Sequence, residues 1–344
     1  MGSKSGGRNQ VTMRDVAKAA GVSRMTVSRA LKKDSPISKE TRDHILKVVK
    51  EMNYVPDQMA GSLTTKKSGF VAVLLPSLNN LHFAETVQAL TDELEAVGLQ
   101  LLLGYTGYSV EREEQLIETM LRRRPEAIVL SYDGHTDRTL ELLQDASIPV
   151  VEIWETPDKP IQHTVGFSNS DAARDMTREL VAKGFKNIVF LSEEEDDWTR
   201  GAARREGYQT AMIEAGLVSH SVRFGAPPLS IENGSAAAEK ILSEIPDVDC
   251  IFCVSDRAAF GVQSRLLALG KSVPGDISVV GFGNFEVSRF SSPAISTVVV
   301  DPVSIGREAG SLIASVLNAE ATNDESPIQI SIPPIPEFRA SSRD

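Results

Sequence analysis

From Gly69 onward, short apolar runs alternate with stretches of helical periodicity, and this alternation restricts the architecture more than any other feature of the chain. FVAVLL precedes a helical pattern from His82 to Val97, LQLLLGY one after Val110, and AIVLS one from Thr136 to Asp145. The rhythm resumes with VVEI and a helix from Asp171 to Lys183, then NIVFL and a helix from about Thr199 to Ala215. A helix around Ala236 to Leu242, CIFCV, a helix from Ala258 to Leu269 and ISVVGF complete it. Strands that are apolar throughout and interleaved with helices belong in parallel sheets covered on both faces, because each crossover passes over a face. The units suffice for two such sheets, so residues 69–344 are expected to form an α/β body of two parallel-sheet subdomains.

In open sheets of this kind a ligand sits beyond the carboxyl ends of the strands. The positions there are Ser77, Asn79, Asn80 and Phe83 after the first strand, Tyr105 after the second, Ser131 (with Tyr132) after the third, and Trp154 (with Glu155) after the fourth. The second unit contributes Arg200 and Arg204, Ser255 and Asp256, then Gly283 and Asn284. Hydroxyls, amides and rings suit a polyhydroxylated ligand, whose apolar faces stack on rings while polar groups fix its orientation. Arg200 and Arg204 share one helical face, and a guanidinium suits bidentate capture of a carboxylate. Structural alternatives stand beside these roles: packing for Trp154, turn chemistry for Asn79 and Asn80, helix capping for Asp256. For both arginines the alternative is an ion pair with the acidic run Glu193 to Asp197, itself read as a solvated loop.

The N-terminal segment is different in kind. The 344-residue chain has a net charge of −11, yet residues 1–67 hold 14 Lys or Arg against 6 Asp or Glu, a surplus of +8 that leaves the remainder at −19. A basic head on an acidic body points to nucleic acid, because Lys and Arg gain affinity for phosphates by releasing condensed counterions. Val16, Ala17, Ala20, Val22, Val27, Ala30 and Leu31 mark two short helices broken at Gly21. Thr12 and Asp15 form a capping-box pattern, Ser23 caps the second helix, and Ser38 caps a third that runs to about Met52 with Ile45, Leu46, Val49 and Met52 inward. Two short helices about a glycine make a helix-turn-helix, whose second helix enters the major groove. Arg24, Met25, Ser28 and Arg29 point outward there; Arg pairs with guanine O6 and N7, and Met offers an apolar surface to a thymine methyl.

Several function classes are excluded by what the sequence lacks. His44, His82, His135, His163 and His220 show no metal-ligand spacing, no G-x-S-x-G elbow is present, and no glycine-rich phosphate loop opens the first body helix, so neither an enzyme nor a cofactor is expected. Cys250 and Cys253 stand in an apolar run and face opposite sides of a strand, which suits core packing rather than a metal or redox pair. No apolar stretch of membrane-spanning length and no secretory signal is found, so a cytoplasmic address with no membrane partner is expected.

The run VTMRDVAKAAGVSRMTVSRAL, the NYVP that follows, and Ala60 and Leu63 fall in the order and spacing of the LacI family of transcription regulators, which the chain resembles over essentially its whole length. The resemblance implies a helix-turn-helix domain at 1–55, a hinge helix and linker at 56–68, and a periplasmic-binding-protein-like body at 69–344. Its crossovers put 69–167 and 301–324 in an N-subdomain and 168–298 and 325–344 in a C-subdomain. It implies a DNA-contacting set of Thr12, Ser23, Arg24, Met25, Thr26, Ser28, Arg29, Ala60 and Leu63, with Leu63 wedged between base steps of a minor groove. Arg204 matches the family's effector-binding arginine in R-x-x-G followed by an aromatic, here Arg204, Gly207 and Tyr208. PSLNNLHFAE, RRRPEAIVL and IPVVEIWE, together with Gly283–Asn284 where many neutral-sugar members carry an aspartate, look most similar to the gluconate-type branch, whose effectors are sugar acids. The implied function is a homodimeric, allosterically controlled repressor of carbohydrate genes that reads a pseudo-palindromic operator in duplex DNA. The alternatives are a solute receptor without DNA function, or a regulator that answers to a neutral sugar or a purine.

Overall fold

In the head, α1 (Met13–Ala19), α2 (Arg24–Ala30) and α3 (Lys39–Glu51) each begin on a hydroxyl cap, Thr12, Ser23 and Ser38. Thr12 and Asp15 cap reciprocally: the Thr12 amide donates to Asp15 Oδ2 at 3.0 Å and the Asp15 amide donates to Thr12 Oγ1 at 3.4 Å. Each cap stabilises its helix by about 1 kcal/mol, which matters because helices this short are marginal in isolation. Their apolar stripes meet in a small core of Val16, Ala17, Ala20, Val27, Ala30, Ile45 and Val48, closed by Tyr54. Leu46, expected inward, is 42% exposed. The inward stripe of α3 runs Ile45, Val48, Val49, Met52, and Leu46 lies a quarter-turn outside it.

This computed structural model describes residues 11–31, 35–55, 68–131, 134–194, 199–318 and 326–343. The chain divides into two units, Met1–Ser68 and Gly69–Asp344. In the second unit, β1 (Phe70–Leu75), β2 (Gln100–Tyr105), β3 (Ile128–Ser131), β4 (Val150–Ile153), β5 (His163–Gly166) and β11 (Gln329–Ser331) form an all-parallel sheet in the order β11-β5-β4-β3-β1-β2. A second sheet joins β6 (Ile188–Ser192), β7 (His220–Arg223), β8 (Cys250–Cys253), β9 (Ser278–Gly283), β10 (Ser296–Val299) and β12 (Ile335–Glu337) in the order β12-β10-β9-β8-β6-β7, antiparallel only at β12. Val71 to Leu75 are at most 2% exposed, the burial on both faces that a covered parallel strand requires.

The first sheet carries α4 (Leu81–Ala96), α5 (Val110–Leu121), α6 (Asp137–Ala146) and α12 (Pro302–Asn318); the second carries α7 (Asn169–Ala182), α8 (Arg200–Glu214), α9 (Ile231–Glu244), α10 (Asp256–Ala268) and the short α11 (Glu286–Phe290). The chain returns to the first lobe with α12, anchored where Thr86 Oγ1 donates to the Pro302 carbonyl at 3.0 Å. It leaves again only after β11, so the expected boundary at 324/325 moves beyond Ser331. Pairing with β5 places Gln329–Ser331 in the first sheet and covers an edge that β5 would otherwise expose. Strands β5, β7 and β10, with sequences HTVG, HSVR and STVV, lack the apolar run that marks the others. Cys250 and Cys253 are free and fully buried in β8, and burial pushes both thiols well up.

Candidate functional site

The outer face of α2 carries Arg24, Met25 and Arg29, all exposed, with Met25 at 65%, while Thr26 and Ser28 are half-buried beside them. Its cap brings Ser23 Oγ within 2.8 Å of Thr26 Oγ1, and the Thr26 amide donates to Ser23 at 3.1 Å, so these hydroxyls present one edge at the amino end of the helix. Val27 and Ala30 are buried on the opposite side, which fixes the helix's rotation and hence which side chains a groove would meet. Thr12 is exposed at the start of α1. Its bonds also hold the Asp15 carboxyl below the usual carboxylate range. Ala60, Leu63 and Tyr132 lie outside the described residues.

In the body, the segments that leave the strands of both sheets line one cleft of about 880 Å³, open mouth included. Of the residues expected there, Asn80, Phe83, Trp154, Arg200, Arg204, Ser255 and Gly283 line it. Arg204 is fixed by the protein itself: Nε donates to Asn169 Oδ1 at 2.8 Å, Nη1 donates to the Val254 carbonyl at 2.8 Å, and the guanidinium lies 3.7 Å over the Phe282 ring. The R-x-x-G spacing has a packing cause, since a Cβ on Gly207 would overlap the Ser170 carbonyl. Glycine there lets α8 approach α7 closely enough for Arg204 to reach Asn169. Arg200 is buried and spans the lobes, with Nη1 donating to Ser131 Oγ at 2.8 Å and its carbon 5.1 Å over the Phe83 ring.

An aromatic array faces these cations. Trp154 meets Phe83 edge-on at 5.7 Å and Phe167 edge-on at 6.3 Å, and stacks near His82 at 5.8 Å. Its φ of 72° is the left-handed region, strained for a tryptophan, and strain of this sort gathers at binding sites. Two bonds hold it: the Trp154 amide donates to the Val165 carbonyl at 3.1 Å, and Asn169 Nδ2 donates to the Trp154 carbonyl at 2.9 Å. His82 stacks at 3.8 Å on Phe285 of the other lobe. Burial, helped by the Arg204 charge, pushes the imidazole down to about 4, so the ring is neutral.

The remaining expected residues stand elsewhere. Ser77 is buried and accepts the Asn79 amide at 3.2 Å, while Asn79 is exposed, which is turn chemistry. Tyr105 is 40% exposed outside the cleft under the Arg112 guanidinium, and Tyr108 lines the cleft in its place. Ser131 acts through Arg200. Asp256 is fully buried, accepting from the Phe285 amide at 2.7 Å and from Thr297 Oγ1 at 2.6 Å, and burial pushes its carboxyl up. Asn284 accepts from Arg339 Nη2 at 2.6 Å. Asp256 and Asn284 thus shape the loop that presents Phe285 rather than lining the cleft.

Sequence reasoning missed Asn169, because the polar β5 that positions it carried no strand signal, and it missed His82 and Phe285, immediate neighbours of the singled-out Phe83 and Asn284, because their stacking joins the two lobes and leaves no local signal. Glu193, read as part of a solvated loop, is 8% exposed and lines the cleft, because it directly follows β6 and turns under Leu229. Glu155 is also buried: it accepts from the Thr156 amide at 2.9 Å and from Asn169 Nδ2 at 2.9 Å, and burial raises its carboxyl despite those bonds.

Residues 12–57 match the family described as bacterial regulatory proteins, lacI family, and residues 68–340 match periplasmic binding proteins and sugar binding domain of LacI family. The HTH-type transcriptional regulator GntR of Escherichia coli is 33% identical over 85% of this chain and 87% of its own length. IdnR, an HTH-type transcriptional regulator of the same organism, is 31% identical over 89% and 92%. The crystal structure of a LacI family transcriptional regulator from Silicibacter pomeroyi superposes with a TM-score of 0.77 at 67% identity, covering 80% of this chain and 100% of that one.

Proposed function

The chain belongs to the LacI family of DNA-binding transcriptional regulators, and from that premise we propose that it represses carbohydrate genes under the control of a sugar acid bound in the cleft. It is a regulator rather than an enzyme, and members of this family bind operator DNA and sugar-type effectors as dimers. The observation that carries the sugar-acid reading is the Arg204 guanidinium, anchored on Asn169 and Val254 at the cleft wall with Arg200 one helical turn away. A cation already oriented loses little freedom when a carboxylate pairs with it, and the neutral aromatic array supplies faces for a carbon chain. On the DNA side, Arg24, Met25 and Arg29 are the base readers, and Leu63 of the hinge is the wedge.

Coupling follows from the way the cleft spans both lobes. Arg200 to Ser131 and His82 to Phe285 tie the lobes together, so a ligand that alters those contacts changes their preferred orientation. If the hinge orders only in one orientation, effector and operator are linked, typically by about 1–3 kcal/mol in each direction. Titration calorimetry with D-gluconate and the neutral D-glucitol tests the reading. The wild type is expected to prefer the acid at least tenfold, and Arg204→Ala to lose that preference while keeping operator affinity. Equal affinity for both compounds in the wild type refutes the sugar-acid assignment.

A further inference from the structure

Two buried polar atoms of the cleft residues have no hydrogen-bond partner among the described residues: Glu193 Oε2 and the indole Nε1 of Trp154. Glu193 is 8% exposed and Trp154 4%, and both line the cleft. The other Glu193 oxygen, Oε1, accepts the Leu229 amide at 3.3 Å, which holds the carboxyl in place and leaves Oε2 unmet. Among the buried carboxylates, Glu155 is met by Thr156 and Asn169 and Asp256 by Phe285 and Thr297, while Glu152 Oε1 and Asp249 Oδ1, away from the cleft, lack a hydrogen bond among the described residues as Glu193 Oε2 does. What sets Glu193 apart is its place: of these three residues it is the one that lines the cleft, where a ligand's donor offsets the cost of an unmet buried acceptor. Burial also pushes its carboxyl up against the opposing charges of Arg204 and Arg200, so the site holds an unfavourable group that a ligand would relieve.

The chemistry of the relieving group follows from the two atoms. An ionised carboxylate only accepts and an indole N–H only donates. A hydroxyl suits either atom, giving its proton to Glu193 or taking one from Trp154. A ketone meets the indole but faces Glu193 acceptor to acceptor, and a methylene meets neither.

We propose that Glu193 and Trp154 are the specificity-determining pair of the cleft, selecting effectors that carry hydroxyls and rejecting keto and deoxy analogues of the same length. The proposal rests on the sugar-acid reading for the ligand's charged group and adds the groups that read its hydroxyls. A site built around a buried hydrogen bond rejects an analogue lacking it far more strongly than an apolar pocket rejects a missing methylene.

Titration calorimetry on the full chain, with wild type, Glu193→Gln and Trp154→Phe, tests it. The ligands are D-gluconate, its 2-keto and 5-keto forms, its monodeoxy forms and D-glucitol. In the wild type at least one keto or deoxy form is expected to bind about 100-fold more weakly than gluconate. In Glu193→Gln the keto penalty is expected to fall to about threefold, because the amide donates to the carbonyl. Trp154→Phe is expected to weaken the hydroxylated ligands about tenfold and the matching deoxy form much less. A purely structural Glu193 would lower all affinities together and leave the ratios unchanged, and that result overturns the proposal. Discrimination that Glu193→Gln abolishes, but with glucitol bound as well as gluconate, overturns the sugar-acid reading and supports the pair. Binding of none of these compounds overturns both.

Discussion

His135 sits between two carboxylates in the first lobe, its Nδ1 2.6 Å from Glu113 Oε1 and its Nε2 3.4 Å from Glu152 Oε1, with the three side chains 5%, 6% and 1% exposed. Burial alone would lower its pKa, but the hydrogen bonds and charges of the two glutamates overcome this and raise it to about 9 from an ordinary 6.5. The folded protein therefore holds this proton more tightly than the unfolded chain does. Its contribution is fully present below pH 6.5 and is lost as pH rises through about 9. At about 1.4 kcal/mol per pH unit, the interval is worth about 3 kcal/mol. Urea unfolding of wild type and His135→Gln between pH 6.0 and 9.5 measures it. The stability advantage of the wild type should shrink by about 3 kcal/mol across that range. His82 and His163 have lowered values, so they act only below pH 6.5, and the raised thiols of Cys250 and Cys253 are common to both proteins and cancel in the difference. Stability curves that stay parallel from pH 6.0 to 9.5 would show that the triad does not hold a proton, and the reasoning would fail. Because His135 lies in the loop that follows Ser131, effector affinity should decline over the same window wherever the Arg200 bridge contributes to binding.

Further outcomes can be measured directly. Arg24→Ala and Arg29→Ala should each weaken specific operator binding by about 1–3 kcal/mol in a mobility-shift titration, and a residue that touches only phosphate would instead weaken all duplexes alike and flatten the salt dependence. Gly207→Ala should destabilise the body by about 1–3 kcal/mol, since its methyl group meets the Ser170 carbonyl; unchanged denaturation would refute that close approach. Asn169→Ala strips partners from Arg204, Glu155 and the Trp154 carbonyl together, so stability should fall by about 2–4 kcal/mol and gluconate affinity at least tenfold. Leu63→Ala should reduce operator bending in a circular-permutation gel, and an unaltered bend would remove the wedge assignment.

Much of this molecule was legible along the chain because the signals are local. Capping residues, the glycine break and the two inward stripes of the helix-turn-helix act within a few residues of one another, and a strand covered on both faces announces itself as an apolar run. The cleft is different, because its decisive contacts join distant positions: Arg200 with Ser131, Arg204 with Asn169 and Val254, His82 with Phe285, Arg339 with Asn284. A residue within a few steps of a strand's end faces the cleft, the core or solvent according to what packs over it, so position alone could not separate Glu193, which lines the cleft, from Asp256, which turns into the protein. The short polar strands were invisible for the same reason: HTVG and QIS become strands only because neighbouring edges offer backbone partners. Periodicity along the sequence determined the elements and the kind of fold. Which polar groups end up buried and without a partner depended on the assembled sheets, since desolvation is imposed by neighbours that the chain brings in from elsewhere.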